Sequence, residues 1–564
     1  MSGDETLTRF GPLGRAEITL VEGIGSGAFD RIGAGGLPVV GDENRRVRAE
    51  LIRFLLLGGP TAPPMHEKGL RLGGAWVTGA LDLEGCRIPR DVGLLDCVFD
   101  AMPVLRSGVI DTLAFDGSHL PGFSADRLEA RGDLLFRSAT VTGPISLRGA
   151  RIGGDMVFDG ATLTHPGNRA IAAERISVRG GALFRGASLR GGLALPGGRI
   201  GGDLDLVGAS LERADETALE AEAVAITGDA VLRRATVSGI VSLVSARIGG
   251  DVDLSGASVA AQGNRAVNLN RIAVDGAFFL RDGARVDGVL SLNGARLGAM
   301  VDDPASWPAP GNLQLNRCLY GSLLGTTLDA DLRLDWLARQ SPSRWGEDFW
   351  PQPYEQLARV MTDMGHDEDA RRVLVEKERL ARRARRDRSP SVAGRIALRL
   401  QDALVGLTTG YGRRPLMALV WLGLLWLIGA AVYITLWQQD AMRPNVMVVL
   451  RSPEWVLCGV PQGQPQFLPS IGQTRDGLAA PGQSQLRCFL DRPEAAAFPK
   501  HNPLMMSVDA LLPGVETGQR DYWSPDTRVP LGLAGIWFLY FQTLAGWALS
   551  LLAVAGFSGI VKSK

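Results

Sequence analysis

Through the middle of this 564-residue chain, apolar residues recur every five or six positions with glycine or a small polar residue between them. Phe184, Leu189, Leu195, Ile200, Leu206 and Leu211 form one such run. The interval is too short for a helical hairpin and too regular for a sandwich. Local alternation such as Asp203-Leu204-Asp205-Leu206 has the period of two expected of a short strand with one buried face. A longer period lies over it. "RIGGDMVFDGATL" (151–163), "RIGGDLDLVGASL" (199–211) and "RIGGDVDLSGASV" (247–259) stand 48 residues apart, and the same offset superposes Gly180, Gly228 and Gly276. Weaker copies, "GDLLFRSATV" (132–141) and "GALDLEGCRI" (79–88), carry the pattern back to about residue 68.

A short strand followed at once by a turn cannot bury its apolar residues alone, but stacked coils share one core and pair their backbones at about 4.8 Å. The pattern therefore predicts a mainly β protein, a β-solenoid over 68–325. Four faces of five to six residues give a coil of about 22 residues, so each 48-residue block is two coils plus an excursion. The excursions fall at "HPGNRA" (165–170), "ERADETA" (212–218) and "AQGNRA" (261–266). These features resemble pentapeptide-repeat-like and bactofilin-like β-helices. The five-residue A-(D/N)-L-x-x consensus is not kept, which leaves a three-sided or a four-sided cross-section open.

The repeated phrase predicts a ladder of Asp155, Asp203 and Asp251, two coils apart and so about 9–10 Å from one to the next, with a parallel column of Arg151, Arg199 and Arg247. The aspartates are expected to accept turn N–H groups after a Gly-Gly corner, and the arginines to screen them. Even spacing makes this architecture, or at most a docking face, not a catalytic cluster.

Residues 1–67 hold "DENRRVRAELIRFLLLGG" (42–59), a helix with a glycine stop that would cap the first open coil. Before it, "EITLVEGIGSGAFDRIGAGG" (17–36) reads as strand-like, and Gly23, Gly25 and Gly27 do not fit the dinucleotide-binding spacing. In 326–410 the pattern turns helical: 353–388, broken at Gly365 and with Asp367 as N-cap, is similar to a single tetratricopeptide-like hairpin. His366 with Asp367, Glu368 and Asp369 reads as an acidic first turn, not a metal site. Arg382, Arg383, Arg385 and Arg386 sit in the densest basic run. With the amphipathic 394–407 segment (Ile396, Leu400, Leu404, Leu407) and Arg413 and Arg414, they fit an anionic membrane surface.

Two charge-free stretches change the class of the protein. "LMALVWLGLLWLIGAAVYITLW" (416–437) would reach about 33 Å as a helix, and "LGLAGIWFLYFQTLAGWALSLLAVAGFSGIV" (531–561) is longer; both read as transmembrane helices. The division is then 411–437 and 531–564 for the spans with the short tail, and 438–530 for the loop between them. Basic residues before the first span, with Lys562 and Lys564 after the second, place both termini in the cytoplasm of a bacterial inner membrane and the loop outside. "TTGYG" (408–412) looks like a potassium filter. A filter, however, needs a preceding pore helix and a place between the spans, and this stretch has neither. Of five cysteines, Cys458 and Cys488 fall in the loop, on the oxidising side, and a disulfide is expected between them. Leu504, Met505, Val508, Leu511, Leu512 and Val515 form a stripe that would lie on the outer membrane surface, with Asp509 on its solvated flank. Gln542, Gly546 and Ser550 recur every four residues on one face of the second span. That face predicts close packing against another copy or against Gly423, Ala430 and Ala431 of the first span.

Composition narrows the function classes. Lys plus Arg and Asp plus Glu number 60 each, so nothing favours nucleic acid. The 72 glycines are about twice ordinary usage and serve the turns. The N-terminal sequence lacks the basic and apolar parts of a secretory signal. No nicotinamide, flavin, haem, iron–sulfur or metal motif is present, and no cofactor is predicted. The order of cap helix, "HEKGLRLGGAWVTGALDLEGC" (66–86), solenoid, hairpin, "TTGYGRRP", two spans and "GWALSLLAVAGFSGIVK" resembles a family of bacterial inner-membrane proteins whose members often carry the label membrane-associated oxidoreductase. The resemblance implies an oxidoreductase without supplying a catalytic residue. The residues themselves favour a scaffold or sensor that is tethered to the bilayer, presents the solenoid to a cytoplasmic protein and can form a homo-oligomer. An oligomeric channel or transport component is the other alternative.

Overall fold

The computed structural model describes residues 7–33, 36–58, 61–261, 265–325, 328–388, 391, 396, 398–399 and 416–557. The chain forms two compact units, Met1–Lys377 and Glu378–Lys564.

The first unit is a parallel β-solenoid of about 11 turns. One column of pairing runs its length through Arg87, Val109, Glu129, Arg151, Ser177, Arg199, Ala225, Arg247, Ala273, Arg296 and Leu319. From Arg151 the steps are 26 residues to Ser177, 22 to Arg199, 26 to Ala225 and 22 to Arg247, so each 48-residue block is one long and one short coil. The extra residues of the long coils lie in Thr162–Ala172 and Ser210–Glu220, where the register with the next strand jumps between Thr164 and Arg169 and between Glu212 and Thr217. In the third block, residues 262–264 of the expected excursion lie outside the described residues.

Each coil has four strand segments. In one coil these are Arg151–Ile152, Met156–Val157 and the two ends of Thr162–Ala172, which makes the cross-section four-sided. The side chains that point inward stack on their own kind. Phe115, Phe136, Phe158 and Phe184 follow one another with ring centroids 5.1, 4.9 and 5.2 Å apart, close to the strand spacing, and Leu206, Leu232 and Leu254 continue the column, all buried.

Both ends of the stack are closed. At the start, Asp30–Arg31 and Arg46–Arg48 add strands to the first coil, and helix Ala49–Leu57 buries Leu51, Ile52 and Leu55 before Gly58 ends it in the left-handed region. Residues Arg15–Gly23 form a helix, not the strand that Thr19 and Val21 suggest. Buried Ala16 and Leu20 and an acidic first turn outweigh the β-branched residues. Glu17 accepts the Gly14 N–H at 3.0 Å and the Arg48 guanidinium at 2.7 Å.

At the other end, the Gln352 and Gln356 amides donate to the Cys318 and Tyr320 carbonyls at 3.0 and 2.7 Å, satisfying acceptors that a further coil would have used. Arg333 makes a two-pronged pair with Asp302, 2.8 Å at each contact, beneath Trp307. Helices Gln352–Asp363 and Asp367–Asp387 form the hairpin and turn at Gly365. Asp367 is the first residue inside the helix, not its cap, because the His366 carbonyl already accepts the first helical bond, from Ala370.

In the second unit, Met417–Gln438 and Pro530–Val554 are long and apolar enough to cross a membrane, with mean hydropathy 2.2 and 1.4. Between them, Met442–Pro444 pairs antiparallel with Trp523–Pro525, and Pro465–Leu468 with Gln473–Asp476. Cys458 and Cys488 are disulfide-bonded, with Cα atoms 5.5 Å apart, beside Trp455 and Phe489. Helix Pro503–Leu511, capped by the Asn502 side chain, packs against both long apolar helices. This corrects the expectation of a surface-lying stripe. Met506, Ser507, Ala510 and Leu511 are buried, while Leu504 and Met505 are exposed. The pattern of apolar positions was compatible with either face, and contacts with the two long helices decided which one is covered.

Candidate interaction surfaces

The aspartate ladder is denser than the repeat suggests. Asp155, Asp203 and Asp251 do not cap their own turns. Each reaches one coil onward and accepts the backbone N–H of Gly181, Asp229 and Ala277 respectively, at 2.7–2.8 Å. Asp133 and Asp229 occupy the intermediate coils and accept from Asp155 and Asp251 in the same way. A β-carbon on Gly180, Gly228 or Gly276 would overlap the carboxylate of Asp155, Asp203 or Asp251. The superposed glycines and aspartates are therefore one device: the glycine of one coil clears the space in which the previous coil's carboxylate reaches the backbone.

The arginine column has a different role from the one expected. Arg151 pairs with Glu129 of the preceding coil at 2.8 Å, on the coil column and not on the aspartates. Arg199, Arg247 and Arg296 are exposed at the same column, with Ser177, Ala225 and Ala273 between them. The result is a row of guanidinium groups on alternate coils along one edge.

The excursions carry a second charged surface. Arg169 joins Glu174 at 2.8 Å to Glu220 at 2.6 Å, and Arg148 also meets Glu174, at 3.0 Å. Alongside is an open depression of about 610 Å³ lined by Met102, Phe123, Arg148, His165, Arg169 and Arg213. Its cations are already engaged with neighbouring carboxylates or backbone, so it reads as a contact surface rather than a small-ligand pocket.

Three thiols lie in the first unit. Burial pushes Cys97 and Cys318 up to about 12, so neither is a thiolate at neutral pH, and Cys86 is half-buried. A β-carbon on Gly23 would overlap the Asp30 carboxylate, and one on Gly27 the His66 ring. Among the described residues no group of three His, Cys, Asp or Glu could hold a metal ion.

Arg382 pairs with Glu378 at 2.8 Å, Arg383 and Arg385 are exposed and Arg386 is half-buried. Arg413, Arg414, Lys562, Lys564, most of the 394–407 segment and "TTGYG" lie outside the described residues.

The face carrying Gln542 and Gly546 is covered within the same chain. Gln542 is fully buried; its amide oxygen accepts from Tyr433 Oη at 2.9 Å, and its nitrogen donates to Ser507 Oγ at 2.8 Å. Ser507 Oγ in turn donates to the Trp426 carbonyl at 2.8 Å. A β-carbon on Gly546 would overlap the Leu511 carbonyl, and one on Gly429 would overlap Ser507 and Gln542. Of the two expected arrangements the packing seen is within the chain: the first long apolar helix contributes Gly429, whereas Gly423 has open space beside it, and helix Pro503–Leu511 covers the rest of the face. Ser550 is half-buried on the same helix.

Asp509 is half-buried on the flank of the helix, where it has backbone partners. It accepts the N–H of Arg520 at 3.0 Å and of Thr517 at 3.4 Å. Ser507, Asp509 and Arg520 were not singled out as a group from sequence. The signal was present: Asn502-Pro503 is an N-cap followed by proline at the first helical position, and it marks a helix whose interior then carries two polar residues among apolar ones.

The fold and these surfaces define a four-sided parallel β-solenoid followed by helices, two of them strongly apolar. No protein-family model and no curated protein matches the chain. One solved structure it is similar to is a trypsin-treated variant of QnrB1, described as a plasmid-mediated fluoroquinolone resistance protein. The identity is 14%, over 36% of this chain and 83% of that one, with a TM-score of 0.16. At that score the likeness carries no argument, and the solenoid geometry rests on the pairing described above.

Proposed function

We propose that the chain is a membrane-anchored scaffold or sensor whose solenoid presents a rigid face to a cytoplasmic protein partner. The observation that carries this reading is the exposed row of Arg199, Arg247 and Arg296 on alternate coils, built on a backbone in which aspartates lock each coil to the next. A partner with acidic side chains about 9–10 Å apart along one strand or helix matches that row. Anchoring in a bacterial inner membrane, with both termini cytoplasmic, is supported by the two apolar helices and by a disulfide in the segment between them, which suits an oxidising compartment. The label oxidoreductase gains no support from Cys97 and Cys318, whose buried thiols are not ionised.

The test is affinity capture with the full-length chain from detergent-solubilised membranes, compared with a variant carrying Arg199→Glu and Arg247→Glu. A set of proteins lost from the variant supports the reading. Identical capture by both sinks the arginine row as the docking face.

A further inference from the structure

Helix Pro503–Leu511 and the segment after it occupy an unusual place, and its depth can be reckoned from two sides. The Leu511 side chain packs with Leu422 and Leu549, and its carbonyl lies against Gly546. Leu422 is 16 residues from Gln438, and Gly546 is 16 residues from Pro530; at about 1.5 Å per residue both place Leu511 about 24 Å in from the loop-side ends of the long helices. Against a hydrocarbon core of about 30 Å, that is past the midplane. The chain then reverses through Leu512-Pro513-Gly514 and climbs back, reaching Trp523 at the loop-side strand pair.

The descending and returning limbs are tied together. Asp509 accepts the Arg520 and Thr517 amides, and Thr517 Oγ1 donates to the Met505 carbonyl at 3.2 Å. The helix is tied to its neighbours by the Tyr433–Gln542–Ser507 bonds and by the Trp426 indole, which donates to the Leu504 carbonyl at 3.1 Å. The arrangement is held by specific bonds on both sides.

Irregular backbone at this depth is stable only if it is buried in protein or lines water, since each unpaired N–H or C=O facing lipid costs several kcal/mol. Here Gly514, Val515 and Glu516 are exposed. An open recess of about 560 Å³ borders the segment and is lined by Asp509, Glu516, Arg520 and Asp521 together with Thr543 and Trp547 of the second long helix. Polar groups around a recess that runs along an apolar helix mark a water-filled path rather than a lipid-facing wall. A single copy leaves that path open on one side.

We infer that residues 503–518 form a pore loop, and that a closed ring of copies of this chain brings these segments together around a cation-conducting path. The inference rests on the membrane-spanning reading of the two apolar helices. Each copy supplies a short helix whose C-terminal end, the negative end of its dipole, points into the membrane interior. Beyond it each copy supplies backbone carbonyls and the Glu516 carboxylate, and all of these favour cations. Closed symmetry covers the exposed segment in every copy at once. The requirement that a filter follow a pore helix and lie between the spans, which "TTGYG" does not meet, is met by 512–518.

The test reconstitutes the full-length protein into phosphatidylethanolamine/phosphatidylglycerol vesicles and records the reversal potential in a potassium chloride gradient, with carbonate extraction to score insertion and native mass spectrometry to count copies. Glu516→Gln serves as the selectivity variant and Thr543→Ala, beside the path on the long helix, as a second. The expected result is an inserted oligomer with cation-selective current, whose reversal potential shifts toward zero in Glu516→Gln. Inserted protein that is monomeric, or whose flux equals that of protein-free vesicles, overturns the pore while leaving the anchored scaffold intact. Flux with unchanged selectivity in both variants overturns 512–518 as its lining. Failure to insert overturns the pore and the anchoring together, leaving only solenoid capture to support a scaffold.

Discussion

The Asp203 carboxylate accepts the backbone N–H of Asp229, one coil further on, at 2.8 Å, and the absence of a side chain at Gly228 makes the approach possible. This is the unit from which the regular part of the solenoid is built. Gly228→Ala is expected to destabilise the stack by about 1–3 kcal/mol through overpacking. Gly208→Asn is expected to cost under about 1 kcal/mol, because the matching turn position one coil on already holds Arg234 in the same left-handed conformation and nothing crowds Gly208. Chemical denaturation followed by circular dichroism on the two variants checks the contrast; equal losses would show that the carboxylate reach is not what the glycine serves.

The Asp302–Arg333 pair sits under Trp307, with side-chain exposure of 2% and 0%. Arg333→Met leaves a carboxylate buried without its partner and is expected to cost about 3–5 kcal/mol, whereas Asp302→Leu with Arg333→Met should recover most of that loss. Hydrogen exchange in Arg296–Asp302 and Leu319–Leu324 reads the effect at the closing coil.

The bond between Cys458 and Cys488 closes 30 residues of sequence. In the chain-entropy account it contributes about 3–4 kcal/mol to the segment's stability. Reduction should therefore raise protease cleavage within 459–487 without affecting the solenoid, and both thiols should resist a membrane-impermeant maleimide until a reductant is added.

His501 stacks on Trp437, centroid to centroid at 4.8 Å, with Trp523 edge-on, and burial there lowers its pKa from 6.5 to about 4. A depressed histidine binds its proton more readily in the unfolded chain. Its contribution to stability is thus fully present above about pH 6.5 and is lost as pH falls toward 4. Tryptophan fluorescence should show the segment between the long helices loosening across that window, and His501→Phe should flatten the response. A midpoint unchanged by His501→Phe would assign the transition to other groups.

Gly546→Leu should expel helix Pro503–Leu511 from its seat, because the new side chain would occupy the position of the Leu511 carbonyl. A disulfide trap between Leu422→Cys and Leu511→Cys, which joins residues of one apolar cluster, is expected to form in the parent protein and to disappear with Gly546→Leu. Gln542→Leu is a milder change, expected to cost about 1 kcal/mol or less.

The sequence by itself determined what depends on neighbours along the chain. The five- to six-residue spacing and the 48-residue offset require stacked short strands, and two charge-free stretches require helices long enough for a bilayer, because each is a local pattern of side-chain polarity. Tertiary structure alone decided the four-sided cross-section, since that depends on how far the chain turns at each corner. The excursions were legible as well, because 165–170 and 212–218 break the five- to six-residue spacing where the register jumps; pairing with the next coil added that each block divides into a 26-residue and a 22-residue coil. The aspartates were legible as a ladder, but their partners were not, because the N–H each accepts lies 22 or 26 residues on. Gln542 and Gly546 were legible as a packing face, and Leu511 was legible as apolar. That they meet follows from folding the segment 439–529 back between two helices, and no periodicity within that segment encodes the depth at which it stops.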